Sequence, residues 1–263
     1  MNKQKIVLRI ILTVCILAVV FFAAAIIREL YIDSQSRSFY SGFTGSVDFR
    51  AVEPGYSVSD DSGYVQPDDP LSQETGWVPY VDFEALGIVY PGIVGWIKLE
   101  NSDLHYPVMQ YRDNDFFLTR LPDGTPHRNG SIFLDYRNNS DFSDKSILIF
   151  GHETRRGDMF GMLKNYRDQE FYEANPVMFL YTPEKDYTIV LFAAYLAHSQ
   201  RDHPPLQFQS DEDFLAYVEA LISISVFTSD VEINADDRII SLCTCAYDFD
   251  DARFIVIGVL KEL

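Results

Sequence analysis

The feature that most constrains this chain is a run of 18 uncharged residues close to its amino terminus, Ile10 to Ile27. A helix rises about 1.5 Å per residue, so the run, extended by Ile6 to Leu8, is long enough to cross a hydrocarbon core of about 30 Å. The sequence therefore predicts a transmembrane signal-anchor over residues 10–30.

The charges around this run predict its orientation. Lys3, Lys5 and Arg9 precede it, and positive charge ahead of a span keeps the amino terminus in the cytoplasm. Residues 1–9 are then cytoplasmic, and everything after the single-pass anchor is extracellular. A cleaved signal peptide is the alternative, because small residues lie near the end of the run (Phe22-Ala23-Ala24-Ala25). The apolar run continues beyond them, which favours an uncleaved anchor in the cell membrane.

The exported part of the chain is strongly acidic. All 39 acidic residues but only 17 of the 21 basic residues follow Arg28, which gives this part a formal charge of −22. Nucleic acid is excluded as a partner, because phosphate binding needs basic patches. The charge could favour cationic acceptors, but solubility beside a membrane is the simpler explanation.

Residues 31–76 are predicted to form a flexible extracellular stalk. They are rich in Ser, Asp, Gly and Pro, for example over Ser57–Gly63 and Gln66–Pro70, and their apolar residues show no sustained period. Such composition is typical of a linker, here one that would lift the next domain off the membrane. The acidic residues do not match a calcium loop, so we assign no metal, and no cofactor is predicted.

Residues 77–263 are predicted to form one strand-rich domain. Its predicted strands are almost uniformly apolar, which is typical of strands covered on both faces. They are residues 94–99, 131–134, 146–150, 187–195, 238–242 and 254–260, with a further strand predicted around His105. A helix is predicted over Asp211–Ser223 with Ser210 as its cap, and shorter helices over Met159–Tyr166 and Val81–Leu86. Many strands with few helices predict a mainly β fold, a closed or nearly closed barrel.

The cysteines point to chemistry rather than to a disulfide scaffold. Three are too few for such a scaffold, and Cys15 lies in the predicted span. Cys243 and Cys245 lie on the same side of one predicted strand, which makes a poor disulfide geometry. A free thiol in an exported domain suggests catalysis. A Cys-x-Cys metal or redox site is a weaker alternative, because no second ligand cluster completes it.

Cys245 and Arg253 flank a seven-residue loop between two predicted strands. In an antiparallel hairpin their Cα atoms would lie about 4.5–5.5 Å apart. A guanidinium there would stabilise a thiolate and donate hydrogen bonds to an oxyanion formed at an attacked carbonyl. The alternative is a buried cysteine and an arginine paired with Asp248, Asp250 or Asp251.

His152 differs from the other four histidines because it directly follows a predicted buried strand and Gly151. Glycine would let the backbone turn and present the imidazole over a cleft. Taken alone, His152 could be an ordinary loop residue. A cysteine, a histidine and an arginine that each lie at a strand end are harder to attribute to chance than any one of them alone.

These segments resemble a known family, the sortases. Ser241-Leu242-Cys243-Thr244-Cys245 resembles the sortase signature Thr-Leu-x-Thr-Cys, with Ser in place of the first Thr. Gly151-His152, followed by Gly157-Asp158-Met159-Phe160, is similar to the histidine segment of class B sortases. Arg253, within Asp250–Val256, matches their arginine. The resemblance runs from about Phe83 to the carboxyl terminus.

The resemblance implies an eight-stranded sortase barrel and a cysteine transpeptidase. Cys245 would attack the Thr carbonyl of a C-terminal sorting signal, of the Asn-Pro-x-Thr type or related, with Arg253 at the oxyanion. His152 would protonate the leaving amine, and a thioacyl enzyme would remain. The implied partners are surface proteins that carry the signal and an acceptor amine of a peptidoglycan precursor or a pilin, at a Gram-positive surface.

The resemblance also implies a substrate groove. Asn114, Leu118 and Thr244 match its lining in class B sortases, and the loop Ala197–Gln207 is expected to border it. A helix cap and a core contact are the alternatives for Asn114 and Leu118. Two other functions stay open for the whole chain: an extracellular cysteine peptidase that releases peptides to water, and a non-catalytic surface-binding module.

Overall fold

The computed structural model describes residues 3–44, 48–51, 77–154, 157–198, 202–246, 248 and 250–263, and for some of these, including Cys245, only the backbone. The strands are β1 (Asp48–Ala51), β2 (Trp77–Tyr80), β3 (Ile93–Lys98), β4 (His105–Met109), β5 (Ile132–Leu134), β6 (Ser146–Phe150), β7 (Val177–Tyr181), β8 (Asp186–His198), β9 (Arg238–Cys245) and β10 (Ala252–Glu262).

Eight of these strands close into a barrel. The order around it is β10-β8-β7-β3-β4-β5-β6-β9, so the predicted eight-stranded closure is confirmed. Two neighbouring pairs are parallel, β4 with β5 and β6 with β9, and the other pairs are antiparallel. In the part of the chain that the structure describes, strands β1 and β2 pair only with each other.

The helices are fewer and mostly short. They are α1 (Lys3–Thr44), α2 (Phe83–Val89), α3 (Asp115–Leu118), a 3-10 helix (Phe160–Arg167), α4 (Gln169–Ala174) and α5 (Asp211–Ile224). The predicted helix over Asp211–Ser223 is confirmed as α5, and the hydroxyl of Ser210 accepts a hydrogen bond from the Asp213 N–H at 3.2 Å. The sequence did not predict β7 or α4.

The barrel strands are apolar on both faces because both faces are covered. One face fills the barrel interior, where Ile149, Leu242 and Phe254 are at most 1% exposed. The other face of β6, β8, β9 and β10 lies under α5. This second layer joins Leu148, Ile239 and Ile255 of the strands to Phe214, Val218 and Leu221 of the helix. Burial on two sides is the physical reason that these strands lack polar alternation.

Helix α1 departs from the predicted stalk. It is long and apolar enough to cross a membrane, but it continues without a break to Thr44, well into residues 31–76. Ser36 and Tyr40 are buried against the barrel, and Phe39 packs on the same core. Residues 31–44 are therefore helical and docked, which corrects that part of the prediction. The rest of the predicted stalk, apart from 48–51, lies outside the described residues.

The docked part of α1 has a helical pattern, although the composition of residues 31–76 as a whole suggested a flexible linker. Ile32, Ser36, Phe39 and Tyr40 recur at spacings of three and four residues, which places them on one face of a helix. Only two of them are strongly apolar, so the face is weak as a sequence signal. Contacts with the barrel begin at Glu29, two residues after the apolar run ends.

Candidate active site

Three adjacent strands bring the predicted catalytic positions to one edge of the barrel. Strand β9 pairs in parallel with β6, where Phe150 lies opposite Cys243, and antiparallel with β10, where Cys245 lies opposite Arg253. His152 follows the carboxyl end of β6 by two residues. The predicted hairpin of Cys245 and Arg253 is confirmed, and all three positions lie where β6 and β9 end and β10 begins.

The same strand face borders a cleft of about 340 Å³. Positions two apart on a strand share a face, and most of the cleft lining from these strands follows that spacing. The lining residues at this spacing are Leu148, Phe150, His152, Cys243, Arg253 and Ile255, and Gly151 and Thr244 between them also border the cleft. The backbone of Cys245 lies two residues beyond Cys243, at the same edge. Its side chain is outside the described part of the structure.

The ring of His152 is oriented by a backbone carbonyl. Its Nε2 lies 2.8 Å from the carbonyl oxygen of Leu118. A carbonyl oxygen can only accept a hydrogen bond, so Nε2 carries the hydrogen. Nδ1 is therefore the nitrogen that can take up or release a proton, and the Leu118 carbonyl fixes both the tautomer and the plane of the ring.

Arg253 is not paired with Asp248, one of the three acidic residues that were its alternative partners. Asp248 forms two hydrogen bonds with Arg167 instead, of 2.8 Å and 2.6 Å. Within the described residues, Arg253 forms no ion pair, and its Nη1 donates to the carbonyl of Ala252 at 2.9 Å. Since a guanidinium has five N–H donors, this bond leaves others for an anion in the cleft.

Comparisons with known proteins bear on the family of this chain. No model of a known protein family matches the chain. A curated Sortase B from Listeria monocytogenes is 29% identical over 223 residues, which are 84% of this chain and 91% of that protein. Sortase B from Staphylococcus aureus is 31% identical over 183 residues, 69% of this chain and 75% of that protein. The chain belongs to the sortase B family.

The fold of this sortase matches a solved relative as well. The Staphylococcus aureus sortase B-substrate complex superimposes with a TM-score of 0.65 at 30% identity, over 69% of this chain and 85% of that chain. The sequence-based prediction of a class B sortase is confirmed, and the protein is a cysteine transpeptidase.

Asn114 of this sortase is fixed by a buried carboxylate. Its Nδ2 donates to Asp135 at 3.1 Å, and its Oδ1 accepts from the N–H of Tyr136 at 3.0 Å. Burial opposes ionisation of Asp135, but hydrogen bonds from Arg137 and Asn114 outweigh it and hold the pKa of this carboxyl below its usual value. The carboxylate of Asp113, not the side chain of Asn114, bonds the first N–H groups of α3. Asn114 therefore borders the cleft in a fixed orientation.

Leu118 and Thr244 border the cleft in different ways. The side chain of Leu118 is 40% exposed, so it is not the core contact that was its alternative. Thr244 is only 2% exposed, and within the described residues its hydroxyl oxygen has no hydrogen-bond partner. The loop predicted to border the groove does so through Asp202, His203 and Pro204, and residues 199–201 lie outside the described residues.

Gly151 is explained by close packing rather than by a turn. It is not among the glycines with positive φ, so the sequence-based reason for it is wrong. A Cβ atom at this position would lie 2.6 Å from the ring of Phe160, which is fully buried. Real Cβ atoms do not approach that closely, so the glycine lets the 3-10 helix pack against the end of β6. This contact supports the segment that carries His152.

We expect Gly151→Ala to lower the free energy of unfolding by about 1–3 kcal/mol, because the added methyl overpacks the contact with Phe160. The matched control is Gly87→Ala in α2, where a Cβ would meet no atom within 4 Å. That change should leave the stability equal or raise it by up to about 1 kcal/mol. Urea denaturation followed by the fluorescence of the two tryptophans, of which Trp96 is buried, measures both. Equal effects of the two substitutions would contradict the packing explanation.

Proposed function

We propose that Cys245 is the nucleophile of this sortase, His152 its proton donor and acceptor, and Arg253 its oxyanion stabiliser. One observation carries the proposal: the three positions lie at the ends of the adjacent strands β6, β9 and β10, at the edge where these strands border one cleft. His152 lies 93 positions before Cys245 and 101 before Arg253 in the chain, so nearness in sequence does not explain why they meet at one edge.

 

The first half of the reaction follows from these placements. The thiolate of Cys245 attacks a peptide carbonyl, and the N–H donors of Arg253, the cross-strand neighbour of Cys245, bind the oxyanion that forms. When the C–N bond breaks, His152 gives its Nδ1 proton to the leaving amine. The acyl group stays on the sulfur as a thioester, which divides one difficult step into two easier ones.

In the second half of the reaction, His152 accepts a proton instead of donating one, and Cys245 is the leaving group instead of the nucleophile. An acceptor amine attacks the thioester carbon, and the neutral Nδ1 of His152 takes the proton that the amine loses. The C–S bond then breaks, and Cys245 leaves as the thiolate. The Leu118 carbonyl holds Nε2 throughout, so one ring nitrogen serves both proton transfers.

We assign the substrate as a C-terminal sorting signal of the Asn-Pro-x-Thr type or a related sequence, cleaved after its Thr. Asn114 and Leu118 border the cleft beside His152 and would contact the signal, and Thr244 would line the base of the groove. The orientation of Asn114 by Asp135 favours a polar contact with the peptide. The resolving amine would belong to a peptidoglycan precursor or a pilin.

We place the amino terminus of this sortase in the cytoplasm and its catalytic domain outside the cell. Lys3, Lys5 and Arg9 precede the apolar part of α1, which supports this orientation. The barrel docks on α1 directly after the apolar run, so the cleft would lie close to the membrane surface. Surface proteins held in the same membrane by their carboxyl-terminal segments would meet the enzyme there.

A pentapeptide library tests the proposed reaction. We expect the full chain in detergent to cleave peptides of the Asn-Pro-x-Thr type, and triglycine to replace water as the acceptor in the product. Mass spectrometry distinguishes the transfer product from the hydrolysed one. Cleavage with water alone at saturating triglycine would show a peptidase instead, and the absence of cleavage with Cys245 intact would favour a binding module.

Arg253→Ala should lower the rate of thioester formation by about 100- to 1,000-fold, the usual effect of removing an oxyanion donor. Arg253→Lys keeps the charge but loses the planar fork, so it should recover only part of the rate. The control is Arg167→Ala, which breaks the ion pair with Asp248 in the neighbouring loop. Single-turnover acylation rates measure all three variants. An Arg253→Ala rate no lower than that of Arg167→Ala would contradict the assigned role.

A further inference from the structure

Helix α1 is bonded to a short segment beside the active site, residues 127–131, which we call the docking segment. The guanidinium of Arg128 pairs with Glu29 and with Asp33, the latter at 2.6 Å from Nη2. The Nε2 of His127 donates to the carbonyl of Ile32 at 3.0 Å, and the hydroxyl of Tyr40 donates to the carbonyl of Gly130 at 3.0 Å. The docking segment is thus held by four contacts with one helix, made by three of its residues.

The docking segment is in turn bonded to the residues around Leu118. The N–H of His127 donates to the carbonyl of Thr119, and the N–H of Ser131 donates to the carbonyl of Phe117, both at 2.9 Å. Between these two bonds, a Cβ atom on Gly130 would lie 2.4 Å from the carbonyl oxygen of Leu118. The backbone on both sides of Leu118 is therefore fixed by the docking segment.

The carbonyl of Leu118 is the group that orients His152, through its 2.8 Å contact with Nε2. The helix also reaches the neighbourhood of the imidazole directly. A hollow of about 220 Å³ is lined by Glu29 and Asp33 of α1, by Arg128 and by His152. The helix and the proposed proton donor therefore border the same hollow.

We propose that Arg128 is a positioning residue of this sortase: clamped by Glu29 and Asp33, it transmits the position of helix α1 through the docking segment to the Leu118 carbonyl and so to the His152 ring. The inference rests on the proposed role of His152. Helix α1, predicted as a membrane anchor, would then also support the active site.

The chemistry of the clamp suits this task. Glu29 and Asp33 are four residues apart, so they lie one above the other on the same face of α1. A planar guanidinium can bond two carboxylates at once in fixed directions, whereas an ammonium acts as a point charge. Partly exposed ion pairs contribute little to overall stability, so loss of the clamp should change the orientation of the segment more than the folding of the chain.

The test compares Arg128→Ala with the wild type and with Lys185→Ala, using the full chain in one detergent. Lys185→Ala breaks a surface ion pair with Glu262, at the opposite end of β10 from Arg253. For Arg128→Ala we expect kcat for signal-peptide cleavage to fall about 10-fold with KM nearly unchanged, because a small misplacement of a catalytic group affects the chemical step. Lys185→Ala should match the wild type.

A second readout does not depend on any peptide. The rate of alkylation of Cys245 by iodoacetamide is followed against pH, with the modified cysteine located by peptide mass spectrometry. A nearby imidazolium stabilises a thiolate, so its misplacement should make the thiolate harder to form. We therefore expect the midpoint of this profile to rise by about half a pH unit in Arg128→Ala and to stay unchanged in Lys185→Ala. The reversed pair Asp33→Arg with Arg128→Asp should restore both readouts toward the wild type, whereas each single reversal should not.

The outcomes separate this inference from the proposed function. If the wild type cleaves its peptide and Arg128→Ala has the same kcat and the same alkylation profile as Lys185→Ala, Arg128 only helps to hold the anchor and the inference is overturned. If the wild type cleaves no peptide, the proposed function fails, and the alkylation profiles still decide whether the clamp affects the site. Should Arg128→Ala not fold, as judged by thermal unfolding, Arg128→Lys and the reversed pair provide the same comparison.

Discussion

Replacement of Cys245 by Ala should abolish both cleavage of the sorting signal and formation of an acyl-enzyme. We expect the rate to fall at least about 1,000-fold, because loss of the nucleophile removes the covalent pathway altogether. The full chain offers a matched control in Cys243→Ala. Cys243 lies two residues earlier on β9 and is 5% exposed, which limits its access to a peptide carbonyl. That variant should keep most of the wild-type rate.

The comparison of the two cysteines has a clear contrary outcome. A large loss in Cys243→Ala with activity retained in Cys245→Ala would move the nucleophile to the buried position and remove the role of Arg253, whose cross-strand neighbour is Cys245. Circular dichroism of both variants would show that the barrel is intact in each.

Replacement of His152 by Ala should lower the rate of amide cleavage by about 100- to 10,000-fold, the range for loss of a general acid–base group. The loss should depend on the leaving group. An amine must gain a proton to leave, whereas an alkoxide leaves more readily without one. With a depsipeptide that carries an ester at the scissile bond, we therefore expect most of the loss to disappear, which single-turnover acylation rates would show.

The control for this prediction is His203→Ala. His203 borders the same cleft, but it lies in the loop after β8 rather than at the strand edge that carries Cys245 and Arg253. Its removal should change the amide and ester rates by the same small factor. An equal loss on amide and ester substrates in His152→Ala would contradict protonation of the leaving group and would point to a structural role.

The strands that carry the site could be predicted because their burial leaves a strong pattern. Residues 146–150 and 238–245 are mostly apolar on both faces, as the cover by the barrel core and by α5 requires. The pairing of Cys245 with Arg253 needed only the length of the loop between them. Strand β7 was missed because Val177–Tyr181 is only five residues long, although Asn175-Pro176 marks a turn between it and α4.

Other parts of the site could not be read from residue types. The partner of His152 is a backbone carbonyl, which every residue carries, so no side chain marks Leu118 for that role. Gly151 suggested a turn, whereas its reason is the ring of Phe160 that the fold places against it. The docking of α1 includes the ion pair of Asp33 with Arg128, 95 residues further along the chain, and such distant ion pairs leave no local pattern.

The role of Cys245 as the nucleophile is tested most directly by trapping the acyl group on the enzyme. The full chain is mixed with a cleavable signal peptide in the absence of an acceptor amine, quenched in acid and digested. The mass of each cysteine-containing peptide is then measured by mass spectrometry. We predict an added mass equal to the amino-terminal part of the signal on the peptide that contains Cys245, labile to hydroxylamine and absent in Cys245→Ala. Turnover without any adduct on Cys245, or an adduct that remains in Cys245→Ala, would contradict it.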